Sequence, residues 1–346
     1  FGGEIARHLL GAGLPAQAFD WQLRAARHAS ASRRFHSVIE HCNAIVGMTD
    51  ELELDALRHG TEAPIDRPAF MESQFLLTEA LAVTGSLELA GRVGRSLAAD
   101  TEVGTAQHTR ALALLADVAV RSGNVRQARW LIGQAMVGYA ETGDQAGCVA
   151  MSLALADIEI RESRVAEAQV LLAAASDDAR SLGNEPLLAA CALATARAAR
   201  LAGATEEART SALDARRRFQ GNHDRAGIAR AELSLAEIAL DRGQIPQARE
   251  LAEAAGAELG DIGDRHGLAQ ARLVLGRIAE AQQLVEPAAS YIAQAVEIFE
   301  SLGDGAYASV ARMTGARVAA DSGDWEIAGE HIDRALQQDV RERIDI

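Results

Sequence analysis

Lysine is missing altogether, and all 34 basic residues of the 346-residue chain are arginine. A P-loop needs a lysine to reach nucleotide phosphates, a Schiff-base enzyme needs a lysine amine, and a protein kinase needs its strand lysine. None of these can be housed here. Aromatic residues are also scarce, at 4% of the chain against 49% hydrophobic overall. Alanine and leucine must therefore carry the core, and both have a low cost in a helix interior. Strand-type segments rich in Val, Ile, Thr and Tyr are absent. The composition favours closely stacked helices and, through its arginine, alanine and glycine, a source with a GC-rich genome.

Three cysteines, Cys42, Cys148 and Cys191, lie far apart without CxxC spacing. They read as small buried hydrophobes in a reducing cytoplasm. No run approaches the roughly 18 apolar residues of a membrane span, and no signal peptide is visible. A net charge of −15 repels a phosphate backbone, so nucleic acid is not an expected direct partner. The chain starts at Phe1 rather than at a methionine, which reads as an excised piece of a longer protein.

What is present is a repeat. Gly123 precedes Ala128, Leu131 and Ala135, and Gly143-Asp144 follows; Gly243 repeats the series with Ala248, Leu251, Ala255 and Gly263-Asp264. Ser163, Gly203, Gln283 and Gly323 open the other units in the same 40-residue register, without insertion between 123 and 335. The glycine of each Gly-Asp pair suits the left-handed end of a helix, and the Asp or Asn after it suits the N-cap of the next. Gly123, Gly203, Gly243 and Gly323 mark the turn inside each helical hairpin. Pro246 and Pro287 fall in the first turn of a second helix, where no backbone donor is lost. His223 stands where sibling units carry glycine and reads as a turn variant.

Upstream the register loosens. Residues 15 to 47 predict a hairpin with Ala18, Trp21, Ala25 and Ala29 on the first helix and Phe35, Val38, Ile39 and Cys42 on the second, and Gly85 opens a unit whose second helix is about two residues short. Met48 to Phe70 predicts a charged helix and a turn at Pro64 and Pro68, read either as a bend or docking element or as a disordered insertion. The expected organisation is an N-terminal hairpin over 1–47, an irregular insertion over 48–70 and a solenoid of about seven hairpins over 71–346. The fold class is all-α, a superhelix of stacked antiparallel helix hairpins.

The alternation of L-A-x-I-A, a turn glycine and an alanine at plus five resembles tetratricopeptide repeats in their roughly 40-residue form, over about residues 15 to 340. The opening I-A-R-H-L-L-G-A-G-L-P-A-Q-A-F-D-W-Q-L-R-A-A-R-H-A, residues 5 to 29, is similar to the junction ahead of the helical-repeat sensor in STAND signal-transduction ATPases, large LuxR-type regulators and ATPase-coupled cyclases most of all. No ATPase, cyclase or DNA-binding motif is present, so those activities attach to no residue here.

The resemblance places the first helix of each hairpin on a concave groove, with groove-facing side chains at fixed offsets. One column, six residues before each turn landmark, reads Asp117, Asp157, Arg197, Glu237, Arg277 and Arg317. Arg200 and Arg230 add positive charge nearby. This ladder reads as a polar track for a partner helix or peptide, or as pairing between repeats, since Asp157, Arg197, Glu237 and Arg277 alternate in sign. His36 and His41 with Cys42 form the one local His/Cys cluster, short of the ligands a metal needs and badly spaced for one helix face. No nucleophile can be given a base, and neither HExxH nor G-x-S-x-G occurs.

The expected function is non-catalytic and needs no cofactor or metal: a sensor or scaffold of a multidomain signalling or transcription-regulating ATPase, binding a protein, peptide or small-molecule inducer. A stand-alone adaptor or peptide receptor is the second reading, and a hydrolase with an undetected site the third. Apolar surface near Trp325 and Ile327 points to a further repeat or a partner chain at the C-terminal end, self-association included, because the tail Arg341 to Ile346 is too polar to cap it.

Overall fold

The computed structural model describes residues 2–59 and 65–344, and among them it contains seventeen helices and no strand. Tertiary contacts divide the chain into two compact units, Phe1–Val118 and Ala119–Ile346.

The N-terminal unit holds α1 (Gly2–Gly11), α2 (Pro15–Ala31), α3 (Phe35–His59), α4 (Arg67–Val83), α5 (Leu87–Asp100) and most of α6 (Ala106–Arg121). Its core gathers Ala6, Ala18, Leu23, Ile45 and Met48. Helix α3 continues unbroken to His59, so the charged helix expected after Met48 is present as the end of α3 and is not a separate element. The turn expected at Pro64 lies outside the described residues. Asp66 then caps α4, accepting from the Ala69 backbone N–H, with Pro68 in the first turn.

The C-terminal unit begins with α7 (Val125–Thr142) and continues as five hairpins. These are α8 (Gln145–Arg161) with α9 (Val165–Ser181), α10 (Glu185–Leu201) with α11 (Thr205–Gly221), and α12 (Arg225–Asp241) with α13 (Ile245–Ile262). The last two are α14 (Arg265–Ala281) with α15 (Val285–Ser301), and α16 (Gly305–Asp321) with α17 (Trp325–Ile344). Each first helix also packs on the first helix of the next hairpin, making an inner layer of α8, α10, α12, α14 and α16.

The repeat landmarks have direct structural counterparts. Asp144, Asn184, Asp224, Asp264 and Asp304 each accept the backbone N–H three residues on, capping the five inner helices. The residue at the turn inside or between hairpins is left-handed whether or not it is glycine: Ser163, His223 and Gln283 have φ of 59°, 55° and 60°. Alanines at plus five, from Ala128 to Ala288, are fully enclosed, which lets neighbouring helices come close. The apolar landmark at plus eight is less buried than the residue after it. Ile132, Leu172, Ala212, Ala252 and Ile292, at plus nine, are at most 2% exposed, and each enclosed Ile or Leu contributes about 1.5–3 kcal/mol.

The last member of that column, Ile332, is 39% exposed, and Trp325 and Ile327 beside it on α17 are also exposed. No hairpin follows to cover them within the described residues. The expectation for the tail Arg341 to Ile346 concerns side chains that lie outside the described residues. Among the cysteines, Cys42 and Cys191 are buried, and burial pushes the Cys42 thiol up to about 12. Cys148 is only half-buried, a correction to the expectation that all three are enclosed.

Candidate functional site

The inner layer of the C-terminal unit surrounds a cavity of about 450 Å³. The geometry follows from the 40-residue register: residues at one offset on α8, α10, α12, α14 and α16 fall on the same inward face. Leu193, Leu233 and Leu273, one repeat apart, give an apolar strip. Arg161, Arg197, Arg200, Arg230, Arg277 and Arg317 bring six guanidiniums, against a single carboxylate in the lining, that of Glu237.

The carboxylates that balance those arginines lie outside the lining, Glu237 excepted. Asp264, 1% exposed, holds Arg230 at 2.5 Å. Asp157 takes Arg161 at 2.9 Å and Arg197 at 2.5 Å. Glu237 and Asp241 both take Arg200 at 3.1 Å and Arg277 at 3.4–3.5 Å. Glu280 takes Arg317, Nη2 at 2.6 Å. Burial works against ionisation of Asp157, but Arg197 and Arg161 outweigh it and hold its carboxyl well below the usual range. Asp264 is likewise depressed, burial being overcome by Arg230, Arg121 and the Gly267 N–H.

One contact set crosses the bore of this unit. Asp304, the cap of α16, is fully enclosed and accepts from Arg161 of α8 at 3.1 Å, 143 residues away. His266 Nε2 lies 3.1 Å from the same oxygen. The Arg161 guanidinium also sits 4.8 Å over the Tyr307 ring, and Phe299, Tyr307 and His266 pack ring against ring at 5.1–5.5 Å. Burial keeps His266 below the ordinary histidine range despite its bond to Asp304, with Arg161 adding repulsion. Gly123 approaches so closely that a Cβ there would stand 3.4 Å from Asp304 Oδ1, and its φ is +71°.

Of the residues singled out from sequence, Arg197, Arg200, Arg230, Glu237, Arg277 and Arg317 line this one cavity. Asp157 does not line it but is ion-paired to Arg197, and Glu237 pairs with Arg277. Asp117 belongs to the N-terminal unit. Sequence reasoning missed Arg161, Ser234 and Tyr307. Arg161 stands four residues after Asp157, a spacing that places both on one helix face, and Ser234 is the hydroxyl in a column that reads Ala154 and Ala194 before it. His41 of the noted His/Cys cluster lies with Nδ1 2.7 Å from Gln22 Oε1.

No protein-family model matches the sequence, and no curated protein matches it. Solved structures do. A Rap protein complexed with competence and sporulation factor superposes with a TM-score of 0.64 at 15% identity, over 92% of this chain and 99% of that one. The fold is a tetratricopeptide-type helical solenoid. The Rap conjugation gene regulator of plasmid pLS20, in complex with the Phr* peptide, gives 0.62 at 13% identity over 93% and 95%. A STAND protein from Pyrococcus horikoshii with a tetratricopeptide sensor gives 0.52 at 15% identity, covering 89% of this solenoid and 50% of that chain. No helix among the described residues is long and apolar enough to cross a membrane.

Proposed function

We propose that this chain is a non-catalytic binding module whose inner face in the C-terminal unit recognises a peptide, a protein segment or a small inducer. The observation that carries the reading is the cavity bounded by five inner helices, where apolar and charged side chains converge. The likeness to two Rap structures, each of them solved with a bound factor or peptide, supports it. Stacked repeats interact chiefly with their neighbours, so a ligand touching several of them can alter their curvature.

The ladder residues Arg197, Glu237, Arg277 and Arg317, with Arg200 and Arg230, are the proposed contacts. Selection from a random peptide library on the full chain tests this, followed by the double variant Arg277→Glu/Arg317→Glu. Peptides that lose binding to a variant with an unchanged melting curve support the reading. Selection of none, or binding indifferent to both reversals, sinks it.

Two settings are open to such a module. The likeness to half of a STAND protein favours the sensor of a signalling ATPase, and the likeness to a Rap protein along its length favours a self-standing regulator. Sequencing the gene on the 5′ side of the Phe1 codon separates them: a nucleotide-binding module there supports the first, an initiator codon beside it the second. The exposed Ile332, at a position enclosed in every preceding hairpin of the C-terminal unit, supports self-association through the outer face of α17 as part of this reading. Sedimentation of the chain and of Ile332→Glu tests this, a monomer at all concentrations being the result against it.

A further inference from the structure

Among the described residues, two buried polar atoms of the cavity-lining side chains have no hydrogen-bond partner, Arg200 Nε and Ser234 Oγ. Ser234 is 3% exposed, and both residues line the cavity. Native proteins leave few buried polar atoms unbonded, because each forfeits its hydration without return.

The other nitrogens of Arg200 are committed, Nη1 to Asp241 and Nη2 to Glu237, each at 3.1 Å. Arg277 reaches toward the same two carboxylates at 3.4 and 3.5 Å, longer than an ordinary N–H···O bond. Two carboxylates are thus shared between two guanidiniums, and one of those guanidiniums is held loosely. Apart from Glu237, the carboxylates that pair with these arginines lie outside the lining, so the cavity is faced mostly by donors and positive charge. A cationic head would meet six arginines and one carboxylate. An anionic oxygen admitted between these side chains would gain a charged Nε–H and a hydroxyl that otherwise stay unbonded, the pairing that forms short, strong bonds away from bulk water.

The same cavity is lined by the apolar strip of Leu193, Leu233 and Leu273. The volume lies in the range of small-molecule sites.

We propose that the cavity holds a small amphiphilic anion, its carboxylate or phosphate head bound by Arg200 Nε and Ser234 Oγ and its apolar body laid along Leu193, Leu233 and Leu273. Arg277 turns from Glu237 and Asp241 to the head when the ligand enters. The proposal rests on the cavity being the binding site and adds the chemistry of what fills it.

Calorimetric titration of the intact chain tests it with four probes of one tail length below their micellar concentrations: octanoate, octyl phosphate, octanol and octylammonium. At least one anion binds at one site, about tenfold or more tighter than octanol and octylammonium, and the tighter of the two anions identifies the head as carboxylate or phosphate. Arg200→Gln and Ser234→Ala each weaken that binding by about tenfold, the loss expected for one bond to a charged group, while the exposed Arg209→Gln on α11 leaves it unchanged. Ser234→Ala removes a single oxygen and keeps the test decisive if Arg200→Gln fails to fold. Octanol binding as tightly as both anions overturns the proposal, and so does anion binding that both variants leave intact. Library peptides that bind where no alkyl anion does would overturn this inference and leave the proposed function standing.

Discussion

Arg161 and Asp304 are separated by 143 residues of chain and by 3.1 Å of space. Asp304 is fully enclosed and Arg161 largely so, at 12% side-chain exposure, and each has further partners, Asp157 for the arginine and His266 for the aspartate. Removing one member of a buried pair leaves the other charge stranded, at a cost of about 3–5 kcal/mol. Arg161→Met is therefore expected to lower the urea midpoint sharply at neutral pH, with Asp304→Asn behaving similarly. A midpoint within experimental error of the parent would mean that the contact does not persist in solution.

Arg317 provides the contrast. Its pairing with Glu280 is well formed, yet its side chain is 59% exposed, and exposed pairs contribute about 0–1 kcal/mol. Arg317→Gln is expected to shift stability by less than about 1 kcal/mol, as read from the same denaturation curves. A loss as large as that of Arg161→Met would show that exposure is a poor guide to the worth of these pairs.

Gln283 and His223 occupy left-handed turns without being glycine. That conformation costs an L-residue roughly 1–2 kcal/mol, part of which glycine returns as chain entropy in the unfolded state. Gln283→Gly and His223→Gly should each stabilise by about 0.5–1 kcal/mol and add when combined, the sites being far apart in the repeat series. Destabilisation by either change would show that the present side chain makes a contact worth more than the strain.

Glycine to alanine carries opposite signs at two helical positions. A Cβ at Gly227 would overlap the Phe219 ring, whereas one at Gly133 meets nothing within 4 Å. Overpacking a closed core costs typically 1–3 kcal/mol, and alanine in an open helix interior gains about 1 kcal/mol over glycine. Thermal melts of Gly227→Ala and Gly133→Ala should move in opposite directions.

Stability is expected to fall on acidification from about pH 6.5, the ordinary histidine value. His266, His41 and His331 all lie below that value in the fold, burial being the main cause. Between their folded and unfolded values the unfolded chain takes up more protons, so the stabilisation is complete above the unfolded value and declines as pH drops through the folded one. Asp157, Asp264 and Asp304, held low despite burial, add a second loss only below the usual carboxylate range. His266→Gln should flatten the pH dependence of the urea midpoint between pH 7 and 5 without abolishing it. An unchanged slope would remove His266 from this account.

The hairpins were legible in the sequence because their determinants are local. An Asp144 or Asp264 caps the helix that begins one residue later, and Gly143 or Gly263 ends the one before, all within a few residues. Pairings such as Asp157 with Arg197 were also legible as an alternative, since one repeat carries a side chain onto the same face of the next helix. Arg161 meeting Asp304 was not. It depends on small rotations accumulated over four hairpins, which no local pattern records. The continuation of α3 to His59 was obscured by the charged run after Met48, where the structure sets no break. The enclosure at plus nine, as at Ile292, was hidden because the conspicuous residue lies one place earlier, as at Tyr291.

A solenoid built from equal steps has no intrinsic reason to stop at any length, since each unit asks only for a neighbour. The bond between Arg161 and Asp304 fixes the count between its two ends. Excising a single 40-residue unit from between them would leave the remaining stacking intact while carrying Asp304 out of reach, and duplicating a unit would carry it past. The cross-bore contact therefore acts as a ruler, making the number of intervening repeats, and not only their sequence, a heritable property of the molecule.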